Sequence, residues 1–441
     1  MTSFELASVR KIHCIGIGGI GISAIARMMH AQGKIVTGND LGDFPTHHEL
    51  AKLGITISIG KTISEIPADA DLVVYSVAWN DLAPELLAEV KARGTPLFTY
   101  PEMLGLVSQE MYTIAVAGTH GKTTTTAMIA KIMRDGALDP TVIVGSLLKE
   151  DGALRSIQGT NFIAGKSNYF LVEADEYRRA FLNLSPKIVV ITNIDLDHLD
   201  YYKDLADIQS AFGDLVAKIP ADGYLICDPH DPHVAPIIGR AKCQVLDYVS
   251  REFFHFKLKV PGAHNVLDAK AAFLVGEQLS VSNESIARSL ENFAGTWRRF
   301  DFRGETSTGV LVYDDYAHNP QKVCAALDGA RELYPDREIT VVFQPHLYSR
   351  TKTLLHDFAT SFGSADHVII SPIYASREAF DPSITASMLV DEIRKNHGDV
   401  IFLDNFEKIE KHLISQLKKG DVLLTVGAGD ITKLADSIVE K

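Results

Sequence analysis

The stretch Thr113–Ala127, TIAVAGTHGKTTTTA, holds the most specific chemistry in this 441-residue chain. A β-branched apolar run (Ile114, Val116) stops at Gly118. Thr119, His120 and Gly121 lead to Lys122 and the threonines Thr123, Thr124, Thr125 and Thr126, and AMIAKIM then reads as a helix. Strand, glycine loop, GKT and helix predict a phosphate cradle, because glycines let backbone N–H groups face an anion and the helix start adds positive potential. In that pattern Lys122 reaches the β- and γ-phosphates of a nucleotide and the Thr123 hydroxyl ligates Mg2+. The usual spacing, G-x-x-x-x-G-K-[ST], places a glycine where this chain has Val116, so GTHGKT is a shortened variant. The plain alternative is a strand-to-helix turn capped by threonines, which needs neither Lys122 nor two close glycines.

Two later strands end in acids. SNYFLVEADE supplies Glu173, Asp175 and Glu176, and KIVVITNIDLDHLD supplies Asp195, Asp197, His198 and Asp200. Open α/β sheets bind ligands at the carboxyl ends of their strands. Acids and an imidazole there point to Mg2+ held by carboxylate, imidazole and water. Helix capping accounts for Asp195 and Asp200 equally well. Glu173 and His198 follow apolar strands directly, where a solvated charge has no packing reason to sit.

A second glycine loop lies near the start of the chain. Gly16, Gly18 and Gly21 satisfy G-x-G-x-x-G between the strands RKIHCIGI and KIVTGND, and Asp40 follows at the distance the dinucleotide fingerprint expects. Alone, this pattern is open to a nicotinamide dehydrogenase. The next domain begins by about residue 108, which leaves too little chain for both halves of a dinucleotide fold, so the loop reads as a nucleotide-diphosphate binder.

These loops need parallel sheets to carry them. After the glycine loop, short strands are expected near 72–79 and 96–102. The phosphate-cradle domain continues through PADGYLICD, KCQVLDYVS and FFHFKLKV as candidate strands. The long helix after PGAHN follows, with Asn265 at its start as a cap or a ligand contact. The last third repeats strand, polar loop and helix: GVLVYDDYAHNP carries Asp314, Asp315, Tyr316 and His318, REITVVFQPHLYSR carries His346 and Arg350, and DVLLTVGAGD carries Gly427, Gly429 and Asp430. The alternation predicts an α/β protein of three domains: a Rossmann-like domain over 1–108, a central phosphate-loop domain over 109–295 and a second Rossmann-like domain over 296–441.

Composition bounds the function. A net charge of −13 argues against a nucleic-acid binder held by phosphate contacts. The four cysteines are scattered with no C-x-x-C pair, which fits a reducing compartment and no zinc site. MTSFELASVRK has no apolar signal core, and the chain has no apolar run long enough for a membrane span. A cytoplasmic enzyme is expected.

Taken in order, IHCIGIGGIGISAIA, AGTHGKTTTT, VEADEYRRAFL, TNIDLDHLDYY, PGAHNV, WRRFDFRGE, DDYAHNP, FQPHLYSRT and GAGD resemble the motifs of the Mur ligases from residue 12 to about residue 430. The resemblance implies a UDP-sugar-binding first domain, an ATP-binding second and an amino-acid-binding third. The reaction it implies is ATP-dependent: the lactyl carboxylate of UDP-N-acetylmuramate is phosphorylated, and the acyl phosphate is attacked by the amine of L-alanine. A monomer or homodimer is expected. By the same resemblance Lys122, Glu173 and His198 are catalytic. Thr123 and Glu173 hold one Mg2+, and His198 a second. Gly118 to Thr124, Asn265, Arg299 and Asp314 contact ATP, Arg299 at the phosphates and Asp314 at the ribose. Gly16, Gly18, Gly19, Gly21, Asp40 and Ser76 hold the sugar nucleotide, and Tyr316, His318, His346 and Arg350 line the amino-acid pocket. A ligase that adds a preformed tripeptide, the dehydrogenase reading and a non-catalytic nucleotide switch are the alternatives.

Some positions leave the family pattern. Asn39 precedes Asp40 where a serine is usual, Tyr100 stands for an arginine, Asn319 for a histidine, and Asp268 for an asparagine. The segment before PGAHN is short. A carboxylate only accepts hydrogen bonds, so Asp268 predicts weaker adenine recognition.

Overall fold

The structure is a computed structural model that describes residues 4–148, 160–199, 201–376 and 378–441. It contains three sheets. The first joins β1 (Lys11–Ile15), β2 (Ile35–Asp40), β3 (Thr56–Ile59), β4 (Leu72–Tyr75) and β5 (Leu97–Thr99), all parallel, in the order β3-β2-β1-β4-β5. The second joins β6 (Tyr112–Ala117), β7 (Thr141–Leu148), β8 (Thr160–Ile163), β9 (Tyr169–Glu173), β10 (Ile188–Ile191), β11 (Tyr224–Cys227) and β12 (Gln244–Asp247). Their order is β12-β11-β10-β6-β9-β7-β8, with β8 antiparallel. The third joins β13 (Asp301–Glu305), β14 (Leu311–Asp315), β15 (Ile339–Phe343), β16 (His367–Ile370), β17 (Val400–Phe402) and β18 (Val422–Val426) in the order β13-β14-β18-β15-β16-β17, with β13 antiparallel.

The central strands read as unbroken apolar runs because helices cover both faces of a parallel sheet. All four residues of β10, IVVI, are buried, as are all five of β15, ITVVF. Every chemistry-bearing loop follows the carboxyl end of such a strand: Gly16 after β1, Gly118 after β6, Asp175 after β9, Thr192 after β10 and Tyr316 after β14.

The chain forms two compact units. One runs to Lys257 and resumes over Val266–Phe293; the other is Leu258–Asn265 with Ala294–Lys441. The expected division near 295 falls close to this boundary. The expected division at 108/109 separates two sheets that share one core, in which Ile25 and Met29 of the helix Ile20–Ala31 belong with Phe170 and Val172 of β9.

Three expected strands differ. The strand near 72 ends at Tyr75, where its pairing with Ile15 and Thr99 ends, and Trp79–Leu82 is helical. The strand near 96 ends at Thr99 because Thr99 and Glu102 form a reciprocal cap on the helix Tyr100–Glu110, with Pro101 in its first turn. FFHFKLKV forms no strand. Two of its aromatics instead contact a helix, with Phe253 and Phe256 rings 5.5 and 6.0 Å from the ring of Phe273.

Candidate active site

The strand, glycine turn and helix around Lys122 are built as the sequence predicts. After β6 the chain turns through Gly118 (φ 138°) and Gly121 (φ 81°), and the helix Lys122–Asp135 begins. A side chain at Gly118 would collide with Thr192, and one at Gly121 with Asp268. Only glycine fits both the backbone angles and the space. The loop is held from the turn after β10. Thr119 N donates to Asn193 O (3.1 Å), His120 N to Asn193 Oδ1 (2.9 Å), and Asp195 N to Thr119 Oγ1 (2.8 Å). Asp195 thus anchors the loop through its backbone, and Asp200 lies outside the described residues.

Both acid clusters converge on this loop. Thr123 Oγ1 lies 3.0 and 3.1 Å from the two Glu173 carboxylate oxygens, and Gly145 N donates to Glu173 at 2.8 Å. Lys122 Nζ donates to both oxygens of Glu176 at 3.0 and 2.9 Å and to the Gly118 carbonyl. Burial disfavours the Lys122 cation, but Glu176, backed by Glu173 and Asp175, outweighs it and raises the ammonium above its ordinary value. His198 Nε2 lies 3.8 Å from Glu176. Its ring lies 4.7 Å from that of Tyr177, and its own backbone is left-handed (φ 54°). A non-glycine residue held there is strained, as is common at functional sites.

Asp175, Glu176 and His198 bring ligand atoms within 4.8 Å of one another. The donor set (carboxylates, a hydroxyl and an imidazole) suits a hard divalent cation. Thr123 with Glu173 and His198 with Glu176 form neighbouring pairs beside one lysine. Glu176 is the residue that sequence reasoning noticed among the acids and left out of the site.

At the first glycine loop Gly19 N donates to Gly16 O (3.1 Å), and Ser76 Cβ would lie 3.3 Å from a Cβ on Gly16. Tyr100 packs its ring over Gly21, and burial, with Glu173 and Asp175 nearby, raises its phenol well above the ordinary value. Asp40 accepts from Gly18 N and Leu41 N, each at 2.8 Å, so it shapes the loop. Asn39 is explained by a neighbour: its Oδ1 lies 3.0 Å from Nε2 of the buried His13, and its amide donates to Gly60 O (2.7 Å).

In the second unit Arg298 and Arg299 stand over the Tyr316 ring at 5.1 and 5.6 Å. His318 Nδ1 lies 2.9 Å from Tyr316 O. Burial, with Lys322, Arg350 and Arg299 nearby, lowers its pKa to about 3, so the imidazole is neutral. Arg350 donates to His346 Nδ1 (3.1 Å), and the His346 ring stacks with Tyr374. Asn265 is buried, with its amide on the Pro261 carbonyl. Asn319 is an N-cap, accepting from Lys322 N at 2.9 Å, which accounts for the amide there.

Asp314 is a correction. It is fully buried, with one oxygen 2.6 Å from Arg298 Nε and the other accepting from Thr425 Oγ1 at 2.6 Å. The carboxylate fastens the Arg298 loop and leaves no open face for a ribose. Its neighbour Asp315 accepts from Phe300 N and Ala317 N.

A glycine-and-lysine phosphate loop on a parallel sheet, with carboxylates at the next strand ends, defines a P-loop α/β protein. Residues 11–112 match the Mur ligase family catalytic domain, 116–253 the Mur ligase middle domain and 298–429 the Mur ligase glutamate ligase domain. The chain belongs to the Mur ligase family, whose members are ATP-dependent ligases. It is 40% identical to UDP-N-acetylmuramate–L-alanine ligase of Clostridium acetobutylicum across the whole of both chains. It is 38% identical to the enzyme of that name from Clostridium kluyveri, over 98% of this chain and 99% of the relative. The crystal structure of UDP-N-acetylmuramate–alanine ligase from Thermotoga maritima aligns with a TM-score of 0.79 at 28% identity, covering 97% of this chain and 98% of that one. Membership covers the first glycine loop too, which sets the dehydrogenase reading aside. Among the described residues no helix is long and apolar enough to cross a membrane.

Proposed function

We propose that this chain joins L-alanine to the lactyl carboxylate of UDP-N-acetylmuramate, with ATP and Mg2+, in the cytoplasmic synthesis of peptidoglycan precursor. The observation that carries the reading is the convergence of Lys122, Thr123, Glu173, Glu176 and His198 at one turn, in a chain whose full-length relatives bear that name. Backbone N–H groups from Gly118 to Thr124 cradle the ATP phosphates, and Lys122 meets the terminal one. Thr123 and Glu173 hold one Mg2+; His198, with Glu176 and Asp175, holds the other. Mg2+ held by these residues would offset the repulsion between the attacking carboxylate and the phosphate.

Gly16, Gly18, Gly19, Gly21 and Ser76 carry the sugar nucleotide's diphosphate, with Asp40 setting the loop. Arg299 meets the ATP phosphates, and Asn265 stands at the start of its helix as an ATP contact. Neutral His318 with Tyr316 and His346 shapes the amino-acid pocket. Arg350 grips the alanine carboxylate, for which a guanidinium offers two parallel bonds. With its pKa lowered to about 3, His318 carries no charge to compete for that carboxylate and is too weak a base to take a proton from the incoming ammonium.

The test is phosphate release with ATP, Mg2+ and UDP-N-acetylmuramate against single amino acids and the preformed tripeptide. Release that needs the sugar nucleotide and free L-alanine supports the reading. Release indifferent to the sugar nucleotide sinks it, and a need for the tripeptide assigns the recycling ligase instead.

A further inference from the structure

His47 was not singled out by any motif, yet its Nε2 is one of the buried polar atoms without a hydrogen-bond partner among the described residues. It lies in the helix Pro45–Lys52 and is 5% exposed. The Phe44 amide donates to its Nδ1 at 3.4 Å, with Asp43 3.4 Å away on the same side. With Nδ1 accepting from the Phe44 amide, the ring proton sits on Nε2; the Asp43 carboxylate, itself an acceptor, does not contribute to that assignment. Nε2 is buried and has no hydrogen-bond partner among the described residues. The carboxylate facing it, Asp40 Oδ2, is 3.9 Å away, beyond hydrogen-bond reach.

The direction of Nε2 is set by the glycine loop. It lies 2.9 Å from where a Cβ on Gly18 would stand, and the edge of the Phe44 ring faces the same point. Phe44 meets the imidazole edge-on, with centroids 5.4 Å apart, which fixes the ring's orientation. The N–H therefore points over the turn that opens the helix Ile20–Ala31. A helix start draws anions. Here, however, Asp40 already occupies the Gly18 amide and brings negative charge to the rim. A dianionic ligand at this turn needs a donor that answers that carboxylate.

The same sheet supplies the contrast. His13 is also buried, but both of its ring nitrogens are engaged, by Thr37 Oγ1 at 2.8 Å and Asn39 Oδ1 at 3.0 Å. A buried donor left unmade costs about 1–3 kcal/mol. His13 is a satisfied core histidine; His47 is built to be completed by something from outside the chain.

We propose that His47 is a binding residue for the diphosphate of the sugar nucleotide, donating from Nε2 to a non-bridging phosphate oxygen above Gly18. The assignment rests on the reading that the first glycine loop holds that diphosphate. Calorimetry with UDP, and separately with uridine, on the full-length protein tests both. Wild type binds UDP. His47→Ala weakens UDP binding roughly 10- to 100-fold, the range of a hydrogen bond to a charged group, and leaves uridine binding unchanged. His47→Gln, which keeps a neutral donor, recovers part of the loss. ATP binding, at a loop of the other sheet, stays at the wild-type value in both variants and reports an intact fold. Wild-type UDP affinity in His47→Ala overturns the role of His47 alone. Loss of uridine binding in parallel with UDP overturns it too, since the residue would then serve the base or the fold. A wild-type protein that binds no UDP overturns the loop assignment and the proposal with it.

Discussion

Asp268 offers a prediction whose size can be worked from its surroundings. The carboxyl is buried beneath Gly121 of the phosphate loop, where an added Cβ would strike it. Burial raises its pKa from the ordinary 3.8 to about 8. At neutral pH the group is therefore a protonated acid, with a donor and an acceptor like the amide that family members carry there. The folded chain holds this proton more tightly than the unfolded chain does. Its contribution to stability is complete below about pH 4 and is lost as pH rises through about 8. The loss runs at about 1.4 kcal/mol per pH unit, roughly 6 kcal/mol across the window. Asp268→Asn removes the ionisation while keeping size and polarity. Urea denaturation of both proteins at pH 6 and pH 8 reads the difference directly: the variant gains about 2 kcal/mol on the wild type over that step. A gap that is the same at the two pH values would refute the buried-acid account. ATP affinity follows the same ionisation, equal in the two proteins at pH 7 and lower in the wild type at pH 9. On this account any weakening of ATP binding by Asp268 is confined to alkaline conditions.

Other consequences are sharper in kind than in size. Asn319→Ala removes the cap on the helix Pro320–Leu333 and costs about 1 kcal/mol in urea denaturation, whereas Asn319→Asp restores it. Arg298→Met strands the buried Asp314 carboxylate and destabilises the second unit by roughly 3–5 kcal/mol, seen as an earlier thermal transition. Arg299→Met, on the proposed ATP contact, leaves that transition in place and lowers turnover, which separates its role from the structural one of Arg298. Lys122→Ala keeps the wild-type circular dichroism spectrum and loses at least about a hundredfold in phosphate release.

Much of this was legible in the chain. The change from a β-branched run to glycine to GKT marks β6 and its helix without ambiguity, an acid closing an apolar strand marks Glu173, and His198 stands in the acid-rich turn after the next strand. Adjacent positions were harder. Asp314 and Asp315 are consecutive on β14, and a strand sends neighbours to opposite faces. The sequence does not say which face meets Arg298 and which meets the loop. FFHFKLKV has the alternation of a strand, but two of its aromatics are spent on Phe273. Glu176 and His47 were passed over because their roles come from long-range approach, Glu176 to Lys122 and His47 to Gly18, and no local spacing encodes either.

The central claim is that a terminal phosphate docked at residues 118–124 is transferred to a sugar-linked carboxylate. UDP-N-acetylmuramate labelled with oxygen-18 in its lactyl carboxylate tests this most directly, by mass analysis of the phosphate released with ATP and L-alanine. The account predicts one labelled oxygen in each released phosphate, because the acyl phosphate breaks on the carbonyl side. Unlabelled phosphate accompanying amide formation would contradict it.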